Sequence, residues 1–200
     1  MIGLLLLLTS ADATSNATDA HHNHVLRSLL QEMSAGASQH ASIPIHAAAV
    51  RGDVLALTRL LEADVDPNSI EGERVEPVTA STPLMLAARR GDVELASLLL
   101  QCGARVGSAG GHGVTALHLA ANGGETNIAS VLAAQLDDPD LRTSNGQTPL
   151  HFAASAGRVE VSWLLLHRGA DAAARDASGR TPRMLSEEAG QRGWEAAFEP

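Results

Sequence analysis

The chain has no lysine and no tyrosine, so all fourteen of its basic residues are arginine. The first absence excludes a Schiff-base lysine and a P-loop lysine, and the second excludes tyrosine phosphorylation. A single cysteine, Cys102, excludes an internal disulfide and leaves the redox compartment open. With only two Trp and two Phe, the interior has to be built from Ala, Leu and Val, which suits thin, closely approaching helices. The apolar run at residues 2–8 is too short to cross a bilayer, which takes about 20 residues, so no stable membrane insertion is expected. The formal charge of −9 argues against a nucleic-acid partner, because phosphate binding needs a surplus of cations.

What the sequence does contain is a pattern. Residues 147–179 read QTPLHFAASAGRVEVSWLLLHRGADAAARDASG. Thr148 is placed to cap a helix with its hydroxyl, and Pro149 suits the first turn, where a missing N–H costs nothing. Ala153 and Ala154 keep that helix thin on one flank, and Gly157 supplies the left-handed residue that ends it. Val159, Val161, Leu164, Leu165 and Leu166 line the apolar side of a second helix, which Gly169 ends in the same way. Two short antiparallel helices and a turn bury too little apolar surface to stand alone, so the unit must stack on copies of itself.

The copies keep strict register. Pro83, Ala116, Pro149 and Pro182 follow one another at intervals of 33 residues, and Pro44 precedes Pro83 by 39, the same period with six residues inserted. The strings IPIHAAA, TPLMLAA, TALHLAA and TPLHFAA carry the repeat. On these residues the chain resembles the ankyrin-repeat family, with its period of about 33 and its T-P-L-H-x-A signature. The resemblance covers residue 42 to about 198 and implies an all-α fold: an α-solenoid of stacked helix pairs with β-turn or hairpin fingers. The domain then spans residues 42–200, with repeats at about 42–80, 81–113, 114–146 and 147–179 and a C-terminal cap at 180–200.

The resemblance also sorts the residues by role. Pro44, His46, Thr82, Pro83, Thr115, His118, Thr148, Pro149, His151, Thr181 and Pro182 are assigned to the structural motif. The three histidines stand at its fourth place, where the imidazole bridges the helix start to neighbouring groups. Partner contact is expected on the concave surface of turn tips and first-helix edges, from Arg51, Arg89, Arg90, Val114, Asn122, Gln147, Ser155 and Arg180. Arg51, Arg89 and Arg90 either form a basic strip able to grip carboxylates or pair with Asp53, Asp92 or Glu94. Replacing Arg89 and Arg90 by Glu is expected to weaken capture of the partner and leave the melting temperature unchanged. The insertion at residues 69–80, with Glu71, Glu73 and Arg74, is read either as a finger touching the partner or as a tolerated loop. Trp163, in register with Thr58, Ser97 and Ser130, is expected to pack across neighbouring helices, the other reading being an exposed anchor. Leu61, Leu99, Leu132 and Leu165 are expected to form one continuous buried row. The first repeat, with Asp64 where glycine is expected, should fray, and the turn replacing Gly-Ala-Asp at residues 136–139 should be irregular.

Chemistry is not expected. Gly111, Gly113 and Ala116 match a dinucleotide fingerprint, but no strand precedes them, and Gly113 sits at the repeat position of Gly146. No paired carboxylates, HExxH or CxxC spacing occurs, and Cys102 reads as a spectator thiol. His21, His22 and His24 on a polar tail make at best a loose metal site, so no metal, cofactor or catalytic residue is assigned. Residues 1–13 fit a signal-peptide core followed by Ala11-Asp12-Ala13, or a frayed apolar start; Asn16-Ala17-Thr18 is a glycosylation sequon only if the chain is secreted. The lack of any Arg before Arg27 favours an intracellular location over the secretory route. Residues 14–41 are expected to hold a polar tail and an N-terminal capping helix on Val25, Leu26, Leu29, Leu30 and Met33. The expected function is a monomeric, non-catalytic adaptor or scaffold binding another protein. The alternatives are a secreted effector with the same surface and the regulatory subunit of an enzyme.

Overall fold

The computed structural model describes residues 44–70, 80–191 and 193. The expectations for residues 1–43, for Glu71, Glu73 and Arg74, and for the end of the cap lie outside them. Contacts divide the chain into Met1–Ala41 and Ser42–Pro200, and the second unit holds every described element.

Among the described residues nine α-helices follow in order: α1 (Pro44–Arg51), α2 (Val54–Glu62), α3 (Pro83–Arg90), α4 (Val93–Gln101), α5 (Ala116–Gly123), α6 (Thr126–Ala133), α7 (Pro149–Ser155), α8 (Val159–His167) and α9 (Pro182–Glu188). The first eight form antiparallel pairs, and α9 packs on α7 after them. First helices contact first helices along the series α1, α3, α5, α7, α9, and second helices pack in the parallel series α2, α4, α6, α8. The turn tips between pairs contain the isolated β-bridge Ala109 to Thr115, and no longer strand among the described residues.

The residue after the N1 proline explains why stacking holds. Ile45, Leu84, Leu117 and Leu150 occupy this place in four successive repeats and are 0–1 % exposed. The alanine pairs Ala48-Ala49, Ala87-Ala88, Ala120-Ala121 and Ala153-Ala154 are fully buried beside them. Small side chains let neighbouring helix axes approach, and the branched residues fill the remaining space. In α9 Arg183 takes the leucine place, lies exposed and pairs with Glu187 at 2.9 Å.

The second helices form the other buried row, with one correction of register. The 39-residue interval places Leu60, not Leu61, in line with Leu99, Leu132 and Leu165. Leu99, Leu132 and Leu165 are fully buried, while Leu60 and Leu61 are both half-buried against the same core.

Each first helix of a pair ends where its glycine adopts a left-handed conformation, with φ from 66° to 82° at Gly52, Gly91, Gly124 and Gly157. At the end of α2 the corresponding glycine is replaced by Asp64, which nevertheless takes φ 63°. A non-glycine residue there costs about 1 kcal/mol. After α6 the chain leaves through the right-handed Ala134, and residues 136–139 make their own turn, with Asp138 Oδ1 accepting the Asp140 N–H at 2.8 Å.

Candidate functional site

The motif histidines join one repeat to the next. The N–H of Thr148 donates to His151 Nδ1 at 3.1 Å, so that nitrogen carries the lone pair and the proton resides on Nε2. Nε2–H then donates to the Arg180 carbonyl at 3.1 Å, just before Thr181 of the next unit. His118 repeats this geometry, accepting from the Thr115 N–H at 3.2 Å and reaching the Gln147 carbonyl at 3.2 Å. His46 Nε2 lies 2.8 Å from the Ser81 carbonyl. Burial holds the His118 pKa down at about 4 and also lowers that of His151, so both rings are neutral at physiological pH. Neutral, buried and bonded at both nitrogens, His118 and His151 hold the stack together and offer no free base.

Met85 stands at the same place in the second repeat. Its sulfur accepts the Thr82 N–H at 3.5 Å, and its own N–H donates to the Thr82 hydroxyl at 3.3 Å. A thioether has no proton to pass on. In α9 the place falls to Met184, which is 44 % exposed.

A second set of side chains, which sequence reasoning did not identify, reaches back to the end of the preceding first helix. Arg90 Nη1 donates to the Val50 carbonyl at 2.7 Å, Arg158 Nε to the Asn122 carbonyl at 3.0 Å, and Gln191 Nε2 to the Ser155 carbonyl at 3.4 Å. These carbonyls belong to the last turn of each helix, which lacks intrahelical donors. Arg158 gives up the side-chain cap that Asp53 and Asp92 provide for α2 and α4. The bond made by Arg90 gives a reason to expect that its replacement lowers the melting temperature, where none was expected from the sequence.

The other contact candidates separate accordingly. Arg51 and Arg89 are exposed at the C-terminal ends of α1 and α3, and among the described residues neither takes part in an ion pair. Arg180 is half-buried and committed to Asp176, at 2.9 Å, and to Glu188, at 3.2 Å. Burial pushes the Asp176 carboxyl upward, but the N–H groups of Arg180 and Ser178 and the Arg180 guanidinium outweigh it and hold its pKa below the usual carboxylate value. Asn122 is exposed, Ser155 is half-buried, and Val114 and Gln147 are half-buried residues just ahead of their helices.

Trp163 corrects the expectation of packing across helices. It is 46 % exposed and stacks on His167 one turn later, with ring centroids 3.7 Å apart. Its register mates Thr58, Ser97 and Ser130 are half-buried, so the larger indole extends beyond the space they occupy.

No three His, Cys, Asp or Glu side chains group as a metal site among the described residues. No described helix is long and apolar enough to cross a membrane.

The family model for ankyrin repeats (3 copies) matches residues 45–143 and again residues 84–176, a span containing all eight helices of the four pairs apart from the first residue of α1. With the 33-residue register, the left-handed glycines and the histidine bridges all in one phase, the chain belongs to the ankyrin-repeat family, whose repeats are in general protein-interaction modules.

Proposed function

We propose that this chain is a non-catalytic adaptor or scaffold that holds a protein partner across its turn tips and first-helix ends. The observation that carries this reading is the contrast among neighbouring arginines. Arg90, Arg158 and Arg180 are engaged within the stack, whereas Arg51 and Arg89 extend from the ends of α1 and α3 without an ion pair among the described residues. In a chain of net charge −9, two exposed guanidinium groups on adjacent repeats are suited to bidentate contact with carboxylates. The partner is therefore proposed to present an acidic segment to the first two repeats. Asn122, Ser155, Val114 and Gln147 extend the same face along the later repeats.

The face is supported by helices stacked in register, so it loses little conformational freedom on binding, and modest side chains can yield useful affinity. Affinity capture from an extract with the native chain and with an Arg51→Glu, Arg89→Glu double variant tests the reading. A protein retained by the native chain and lost with the variant, at equal melting temperature, is the expected result. Equal retention by both would remove these arginines from the binding surface.

A further inference from the structure

Three side-chain links recur where one helix pair meets the next, and their distribution is uneven. The first is the imidazole bridge: His46 to Ser81 joins pairs one and two, His118 to Gln147 joins pairs three and four, and His151 to Arg180 joins pair four to the cap. The second is the donor to a first-helix carbonyl: Arg90 to Val50, Arg158 to Asn122, and Gln191 to Ser155 at those same junctions. The third lies in the turn after the second helix. Asn68 accepts the Arg105 N–H at 2.7 Å and donates to the Gly103 carbonyl at 3.1 Å; Asp140 accepts the Asp171 N–H at 2.8 Å.

Between the second pair, α3 and α4, and the third, α5 and α6, all three are missing among the described residues. Met85 takes the histidine place, and the Val114 carbonyl it would meet accepts only the Gly110 N–H of its own finger, at 2.8 Å. Glu125 occupies the repeat position of Arg158 and Gln191, and its carboxylate lies over Gly91. It cannot donate to the Arg89 carbonyl, and it places negative charge at the negative end of α3. Gly107, 39 residues after Asn68 and 33 before Asp140, has no side chain with which to clip the next turn. One backbone bond between fingers, Gly111 N–H to the Ala80 carbonyl at 2.9 Å, and the apolar contacts remain.

We infer that the junction between α3/α4 and α5/α6 is a built-in point of opening, at which the array parts into two cooperative blocks, helices α1 to α4 and helices α5 to α9. Stability in a stacked array is a sum of unit and nearest-neighbour interface contributions, so the interface with the fewest links sets the boundary of partial unfolding. The first block, two pairs without the additional helix α9, is the smaller and opens first. Arg51 and Arg89 lie on one side of the boundary and Asn122 and Ser155 on the other, so on the function proposed above a partner spanning it shifts the array toward the closed state.

The test is hydrogen exchange on the full chain in stepwise urea, read by mass spectrometry, with and without the combined substitutions Met85→His, Gly107→Asp and Glu125→Arg. In the native chain the amides of α1 to α4 are expected to exchange together, about tenfold or more ahead of those of α5 to α8. The substituted chain is expected to close that gap by about tenfold, the factor expected from restoring a few hydrogen bonds of ordinary net strength. A single transition for the whole array, a boundary at any other junction, or a gap unchanged by the substitutions would overturn the inference. Should the triple variant not fold, Glu125→Arg alone, at a half-buried edge, carries the same readout: narrowing of the gap supports the inference and no change overturns it.

Discussion

The Nε2–H of His118 donates to the carbonyl of Gln147, 29 residues later, while Nδ1 of the same ring accepts the Thr115 N–H at the start of its own helix. One neutral side chain thus ties a helix start to the approach of the next repeat. Neutrality is necessary, because a proton on Nδ1 would break the first bond and bring a charge into a fully buried site.

Stability should therefore depend on acid in a defined window. The unfolded ring titrates near 6.5 and the folded ring near 4, so the unfolded chain binds the extra proton between those values. The contribution is fully present above about 6.5 and is lost as the pH falls toward 4. His151, also lowered by burial, acts in the same direction. Urea midpoints measured from pH 7.5 to 4.5 should fall. In His118→Met, which adopts the residue already found at Met85, the loss should be about 1 kcal/mol at pH 7.5 and should shrink with acid. A constant difference across the range would contradict this account.

Arg89 and Arg90 are adjacent in sequence but should respond differently to charge reversal. Arg90→Glu breaks the bond to Val50 and places a carboxylate against the C-terminal end of α1, so a loss of about 0.5–1.5 kcal/mol is expected. Arg89→Glu should leave thermal stability within about 0.5 kcal/mol of the native chain. Calorimetry on the two single variants checks the contrast.

Gly110 and Gly103 make a second matched pair. A Cβ on Gly110 would overlap the Ala80 carbonyl oxygen and come within 2.8 Å of the Met85 methyl, whereas one on Gly103 meets nothing within 4 Å. Gly103→Ala should cost only the left-handed backbone penalty, about 1 kcal/mol, and Gly110→Ala clearly more. Chemical denaturation of both variants measures the difference.

Leu132→Ala should cost about 2–5 kcal/mol, as expected for a fully buried leucine in a packed row. Leu61→Ala, at a half-buried site one residue out of register, should cost less. Equal losses, measured by urea unfolding, would return Leu61 to the buried row.

Much of this architecture was legible because it repeats. Thr, Pro, His, the alanine pair and the helix-ending glycine recur at one interval, and each acts through local backbone geometry. The Arg90, Arg158 and Gln191 links were not legible, since Arg90 occupies a different place in its unit from Arg158 and Gln191, and all three depend on which way a long side chain turns. Trp163 was misread for a related reason: register fixed its helix face, but the space available there depends on neighbours far along the chain.

The order of residues alone determined the helix pairs, their ends and the need to stack, because periodic apolar faces and caps are properties of short segments. The stacking geometry decided which polar groups are used up and which remain exposed. Arg90 and Arg89 differ in that respect only because the Val50 carbonyl, from a helix one repeat earlier, comes within reach of one of them.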